Sequence, residues 1–235
     1  ADLKREGLAP QNICVINDTV ATLLAGSQQA QGTSFRSNLG LVVATGCNMA
    51  AYFDKTQLTK THWSTQQNAS MAVNLEVGNV NPPHLSTWDD ELDQDSNQPG
   101  AQRLEKALAG YYLPLLFRRI ARDASRPVDV TNSKELNLLA QNPQLGAQHK
   151  IAHLLLNRSA QLVAALIAGS LKAAGLEGQE VTVSAEGGLF WGDPSYAKIV
   201  HNTLSHLIKS PTQVNIIKLD YPNLFGACLA ALSRI

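Results

Sequence analysis

Short apolar runs alternating with longer helix-period segments constrain this chain more than any other feature. Residues 13–16, 39–44, 50–53, 71–75, 181–185 and 214–218 are short, rich in β-branched residues or bounded by turn residues, and each reads as a strand. Helical patterns are expected over 18–30, 88–92, 147–174, 196–208 and 225–232. A further helix should open at Pro99 and carry Leu104, Leu108, Tyr111, Tyr112, Leu115, Leu116 and Ile120 on one stripe. Ser133 should start another, and Gly175 should stop the long one. Strand–helix alternation at both ends, with helices between, implies an α/β layered fold. No repeat and no long linker divides the 235 residues, which reads as one domain with enough chain for a full core.

Composition excludes several classes. Nineteen basic and nineteen acidic residues balance, and no basic run interleaves with aromatics, so nucleic-acid binding has no electrostatic footprint. The charged fraction of 16% lies below the usual quarter, which suits a chain that hides surface against a partner or a neighbouring domain. Three cysteines, Cys14, Cys47 and Cys228, stand far apart, which excludes a disulfide framework and a zinc ribbon and fits a reducing, cytoplasmic setting. The apolar stretch 151–171 is interrupted by Arg158, Ser159, Gln161 and Ser170 and reads as a buried helix, not a membrane span. The first six residues form no apolar leader core and lack Met, so the expectation is a chain processed or taken from inside a longer one.

The familiar phosphate-loop, dinucleotide, zinc-protease and hydrolase motifs are absent. His149 and His153, four apart, lack a nearby carboxylate and read as a helix face, so no metal ligands are assigned. Cys47 reads as a small space-filling residue. What remains is polar residues at strand ends. Asn17-Asp18-Thr19 is either a helix cap, which the spacing alone favours, or a carboxylate outside the carboxyl end of a strand, where ligands of open α/β sheets bind. Thr45-Gly46-Cys47-Asn48 is either a hairpin turn or an amide cradle for phosphate. Glu76 ends an apolar run, and Glu105 sits in a stripe of Leu, Ala and Tyr. Two Asn and three carboxylates make an acceptor-rich set suited to sugar hydroxyls.

Six segments, in order, resemble the hexokinase family. Residues 15–23 (VINDTVATL) are similar to its "VNDTVGT", 39–48 (LGLVVATGCN) to "GLIxGTGxN", 73–78 (VNLEVG) to "VNxEWG" and 99–106 (PGAQRLEK) to "NPGxQxxEK". Residues 181–188 with 197–200 resemble "VxxDGSVY", and 226–229 resemble the closing "GAAL". The resemblance implies a ribonuclease-H-like, actin-type ATPase fold with a mixed sheet flanked by helices. It covers the larger, C-terminal domain (1–235), without the family's small N-terminal domain, whose "DxGGT" loop does not occur here. It implies transfer of the terminal phosphoryl of ATP, with Mg²⁺, to the 6-hydroxyl of a hexose such as glucose, by a protein that needs its other domain. Asp18 would be the base; Asn17, Asn48, Glu76 and Glu105 would bind the sugar; Thr45, Gly46, Gly187 and Gly188 would face the nucleotide. Ala44, Val77, Glu186 and the 223–226 segment depart from the pattern, and two of these border the nucleoside side. A catalytically silent sugar-binding or regulatory module, and another actin-fold kinase or ATPase, are the alternatives.

Overall fold

The computed structural model describes residues 13–29, 34–58, 70–125 and 127–232. Its centre is a five-stranded mixed sheet in the order β3-β2-β1-β4-β5. The strands are β1 (Asn38–Val43), β2 (Cys47–Asp54), β3 (Ser70–Asn74), β4 (Glu180–Glu186) and β5 (Gln213–Lys218). β1, β2 and β3 form an antiparallel meander, and β4 and β5 add parallel to the other side of β1. Parallel addition requires crossovers, and the helices of the chain supply them.

Period-two alternation divides the sheet into two faces. Leu39, Leu41, Val43, Met49, Val181 and Val183 point to the larger core. There they meet α3 (Arg103–Leu108), α4 (Tyr112–Asp123), α5 (Ser133–Ala140), α6 (Ala147–Ala173) and α8 (Pro194–Leu207). The opposite face carries a smaller cluster in which Leu23 of α1 (Asp18–Gln29) packs on Ala50 and Tyr52. Fully burying one leucine of this kind contributes about 1.5–3 kcal/mol. The closing helix α9 (Pro222–Leu232) lies against α1 at Gly226, where an added Cβ would stand 1.8 Å from the Ala21 carbonyl oxygen.

α6 is long and apolar enough, by length and composition, to cross a membrane. Its buried residues, Ala152, Leu155, Leu156, Ser159, Ala160, Val163, Ala164 and Ile167, instead follow a helical stripe into the larger core. Arg158 on this helix donates to both oxygens of buried Asp89 at 2.7 and 2.8 Å, on α2 (Thr87–Gln94). Ser159 Oγ on the same helix donates to the Leu108 carbonyl of α3 at 2.7 Å, so two of the polar residues that interrupt the apolar stretch are ties between helices.

Two expectations are corrected. Residues 13–16 form no strand: Ile13 is 68% and Val15 93% exposed. The strand beneath α1, β1, already has β2 and β4 on its two sides, so β1 has no edge open to the segment. The helix expected from Pro99 begins instead at Arg103 and breaks at Ala109–Tyr111 into α3 and α4. The break has a physical cause: the Gly110 and Tyr111 amides donate to Ala44 O at 2.8 Å and Thr45 O at 3.1 Å, not to their own helix. Residue 30, assigned to α1 from sequence, lies outside the described residues, as do 1–12.

Candidate functional site

The site is built where strands end. α1 runs antiparallel to β4: Gly26 rests against Ser184, and Thr22 Oγ1 donates to Glu186 Oε2 at 3.0 Å at the last residue of β4. Asp18, one turn earlier, therefore stands beyond the carboxyl ends of β4 and its neighbour β1. Its position comes from these strands and not from a strand of its own.

Asn17 and Asp18 take different positions at the start of α1. Asn17 Oδ1 accepts from the Thr19 amide at 2.9 Å and the Val20 amide at 3.4 Å, which caps α1. That leaves Nδ2 as the group Asn17 can offer a ligand. Asp18 is exposed, and its Oδ1 accepts from the Thr19 amide at 2.7 Å and Thr19 Oγ1 at 3.1 Å. Oδ2 has no partner among the described residues.

At the same sheet end, the β1–β2 turn Ala44-Thr45-Gly46 is held from three sides. Ala44 N donates to Gly46 O at 2.9 Å across the turn. The α3–α4 break receives the Ala44 and Thr45 carbonyls, and Glu105 Oε2 accepts from the Cys47 amide at 3.0 Å. The Thr45 and Gly46 amides keep no protein partner among the described residues, and Thr45 is exposed. Free amides on a fixed turn form a cradle for anionic oxygens. Cys47 sits beneath, 5% exposed; burial first and the Glu105 carboxylate second push its thiol up to about 12, so it fills space and is no nucleophile.

A second wall comes from β2, β3 and the segment after β3. Asn48 Nδ2 donates to Asn74 Oδ1 at 2.7 Å, and Asn74 Nδ2 donates to Glu76 Oε1 at 2.5 Å. Glu76 is exposed and adopts the left-handed backbone conformation, φ 49° and ψ 46°. Gly78 follows at the back of Glu105, so Glu76 and Glu105 belong to one corner. Burial, Glu105 and Tyr111 all push the Tyr112 hydroxyl up in the same corner. Behind it, Lys106 donates to Asp93 at 2.6 Å and to the Gln98 carbonyl at 2.7 Å, anchoring the loop before α3. Asn74 was not singled out from sequence; its place between Asn48 and Glu76 depends on the β2–β3 pairing.

On the other side of β1, Gly187 has φ +124°, and a Cβ there would stand 2.0 Å from Val43 O. Only glycine fits such a turn against such a neighbour. Gly188 opens the short α7 (Gly188–Trp191). These glycines edge a cavity of about 540 Å³ also lined by Trp191, Lys218, Tyr221 and Asn223. Lys218 Nζ stands 5.9 Å from the Trp191 ring centroid. A larger depression of about 630 Å³ shares no residue with this site, and two of its arginines are already paired, Arg118 with Asp129 and Arg119 with Asp95. His149 and His153 stack at 5.6 Å, and among the described residues no group of three or more His, Cys, Asp or Glu is placed to hold a metal.

The family model described as hexokinase matches residues 38–148 and 126–233. Hexokinase-1 of Arabidopsis thaliana is 27% identical over 280 residues, covering 99% of this chain and 55% of its own length. The chain thus spans about half the length of the curated relatives it matches. Among solved structures, a hexokinase from Schistosoma mansoni complexed with glucose superposes with a TM-score of 0.83 at 22% identity, over 98% of this chain and 60% of its own. A ROK-family glucokinase from Streptomyces griseus, in complex with glucose and AMPPNP, gives 0.62 at 14% identity, over 98% and 70%. These neighbours share the actin-like ATPase fold, with its mixed sheet and flanking helices, that the sequence implied. With the family model matching residues 38–233, across all five strands of the sheet, the chain belongs to the hexokinase family.

Proposed function

We propose that this chain is the sugar- and nucleotide-binding large domain of a hexokinase that transfers the terminal phosphoryl of ATP to the 6-hydroxyl of a hexose such as glucose. The observation that carries this reading is the convergence at one sheet end of three elements. They are an exposed carboxylate (Asp18), a turn with free amides (Thr45, Gly46) and an Asn–Asn–Glu wall beside Glu105. Hydroxyls of a sugar would bridge the wall, and phosphate oxygens would meet the turn. The adenosine end would lie in the cavity beside Gly187 and Gly188, as the glucose and AMPPNP held by a distant structural neighbour make reasonable.

Asp18 would accept the 6-hydroxyl proton as the sugar oxygen bonds to the γ-phosphorus and the bond from that phosphorus to the bridging oxygen of ADP breaks. The products are the sugar 6-phosphate, ADP and a proton. Phosphoryl transfer asks mainly for positioning and charge stabilisation, which fixed amides and carboxylates supply. The donor set suits a hydrated hard cation: Asp18, and Glu186, which accepts from Thr22 one turn further along α1, could accept from waters of a magnesium ion brought by the nucleotide. When bound, that ion offsets phosphate charge. The remaining sugar and phosphate contacts would come from a second domain of the longer protein.

The test is Asp18→Asn in the full-length enzyme, followed by ATP-consumption kinetics and hexose calorimetry. Turnover should fall roughly 10²–10⁴-fold while hexose affinity stays within about tenfold. Near-normal turnover ends the base assignment. Hexose binding with no turnover in the unaltered protein favours the silent sugar-binding module.

A further inference from the structure

We infer that Asn74 is a positioning residue that sets the hydrogen-bond polarity of the hexose wall. The inference rests on the hexose reading of that wall and names a residue the reading did not require.

A side-chain amide is ambiguous, because its oxygen and nitrogen exchange places by a half-turn, whereas an ionised carboxylate only accepts. The relay therefore has one sense. Glu76 Oε1 compels Asn74 to present Nδ2, at 2.5 Å. Asn74 must then turn Oδ1 the other way, where it receives Asn48 Nδ2 at 2.7 Å. Asn48 is left with Oδ1 toward its own strand, where it accepts from the Met49 amide at 2.8 Å. Glu76 thus orients Asn48 through Asn74.

The fold makes the relay possible. Asn74 pairs with Ala50 across β2–β3, and Asn48 lies two residues from Ala50 on the same face, a diagonal neighbour. Two residues past Asn74, the left-handed conformation at Glu76 bends the chain so that the carboxylate returns to Asn74. The groups left to a ligand are the second proton of Asn48 Nδ2 and Glu76 Oε2, a donor and an acceptor in fixed order. Each hexose hydroxyl meeting this wall is told whether to give or to receive.

The test replaces Asn74 by its isosteric acid. In Asn74→Asp the new carboxylate keeps the bond from Asn48 and loses the bond to Glu76, since two like charges cannot both ionise cheaply at contact. Glucose affinity, read by calorimetry on the full-length enzyme, should be at least about tenfold weaker than wild type at pH 8. It should return to within about threefold near pH 5.5, where one shared proton lets the introduced carboxyl donate to Glu76 again. The sign follows from the raised proton affinity of the pair: the penalty exists at high pH and is relieved as pH falls. Other titratable groups around this corner are Cys47, Tyr52 and Asp54 on β2, Arg103, Glu105 and Lys106 on α3, Tyr111 and Tyr112 at the start of α4, and Asp18 on α1. All are common to both proteins, so the ratio at each pH cancels them.

Should Asn74→Asp unfold, the double variant Asn74→Asp with Glu76→Gln keeps the test. A glutamine can donate to the new carboxylate, so the acceptor that orients Asn48 is restored one position earlier. The double variant should lose less affinity than the product of Glu76→Gln and Asn74→Ala. Additive losses, or an Asn74→Asp chain that matches wild type at every pH, overturn the relay. A full-length wild-type enzyme with no glucose affinity overturns the hexose reading and the relay with it, and is recognised because it appears before any substitution is made.

Discussion

Glu105 Oε2 accepts the Cys47 amide at 3.0 Å, and the same oxygen lies 2.8 Å from where a Cβ on Gly46 would stand. One carboxylate on α3 therefore both stands at the wall proposed for the sugar and holds the turn proposed for phosphate. Gly46→Ala should push that carboxylate off the Cys47 amide. A charge-assisted hydrogen bond is worth about 1.5–3 kcal/mol, so hexose and nucleotide affinity should both fall by roughly tenfold or more while the fold survives. Calorimetry with each ligand checks this, and an effect on neither would show that the turn does not depend on Glu105.

Lys106 and Asp93 form a buried pair whose side chains are 5% and 3% exposed. Burial by itself raises the Asp93 carboxyl, but Lys106, the Gly100 amide and Arg103 outweigh it and hold the group below the usual carboxylate range. A lowered folded value means that this stabilisation is complete above the unfolded value, about pH 4, and is lost as pH falls through the folded one. Lys106→Met should cost about 3 kcal/mol at neutral pH by leaving a buried charge short of a partner. It should also flatten the loss of stability below pH 4, which urea titration at a series of pH values measures.

Two glycines in helices should respond in opposite directions. Gly226 of α9 has no room, since its Cβ would stand 1.8 Å from Ala21 O. Gly226→Ala should destabilise by at least about 1–3 kcal/mol by forcing α9 from α1. Gly169, exposed inside α6, has nothing within 4 Å of its Cβ position, so Gly169→Ala should stabilise by about 0.5–1 kcal/mol. Thermal melts of the two variants decide both.

Thiol labelling at pH 8 should separate the cysteines. Cys228 is exposed, while Cys47 is buried with its thiol near 12. Mass spectrometry after alkylation should find Cys228 modified and Cys47 unmodified until denaturant is added. Labelling of native Cys47 would mean that the turn above it opens.

Local pattern along the chain was enough for the layered class and nearly every strand, because period-two and helical alternation survive without neighbours. It was also enough to mark the polar residues to suspect, since Asn17, Asp18, Thr45, Asn48, Glu76 and Glu105 all stand beside apolar runs or turns. Other features depended on contacts across the fold. Residues 13–16 carry a strand pattern, yet β1 has no free side to pair with them. The stripe from Leu104 to Ile120 breaks because the Ala44 and Thr45 carbonyls, far away in sequence, compete for the Gly110 and Tyr111 amides. Asn74 comes between Asn48 and Glu76 through β2–β3 register, and Glu186 meets Thr22 through the packing of α1 on β4. Hydrogen bonds between distant segments have no period along the chain, and only the assembled sheet brings their partners within reach.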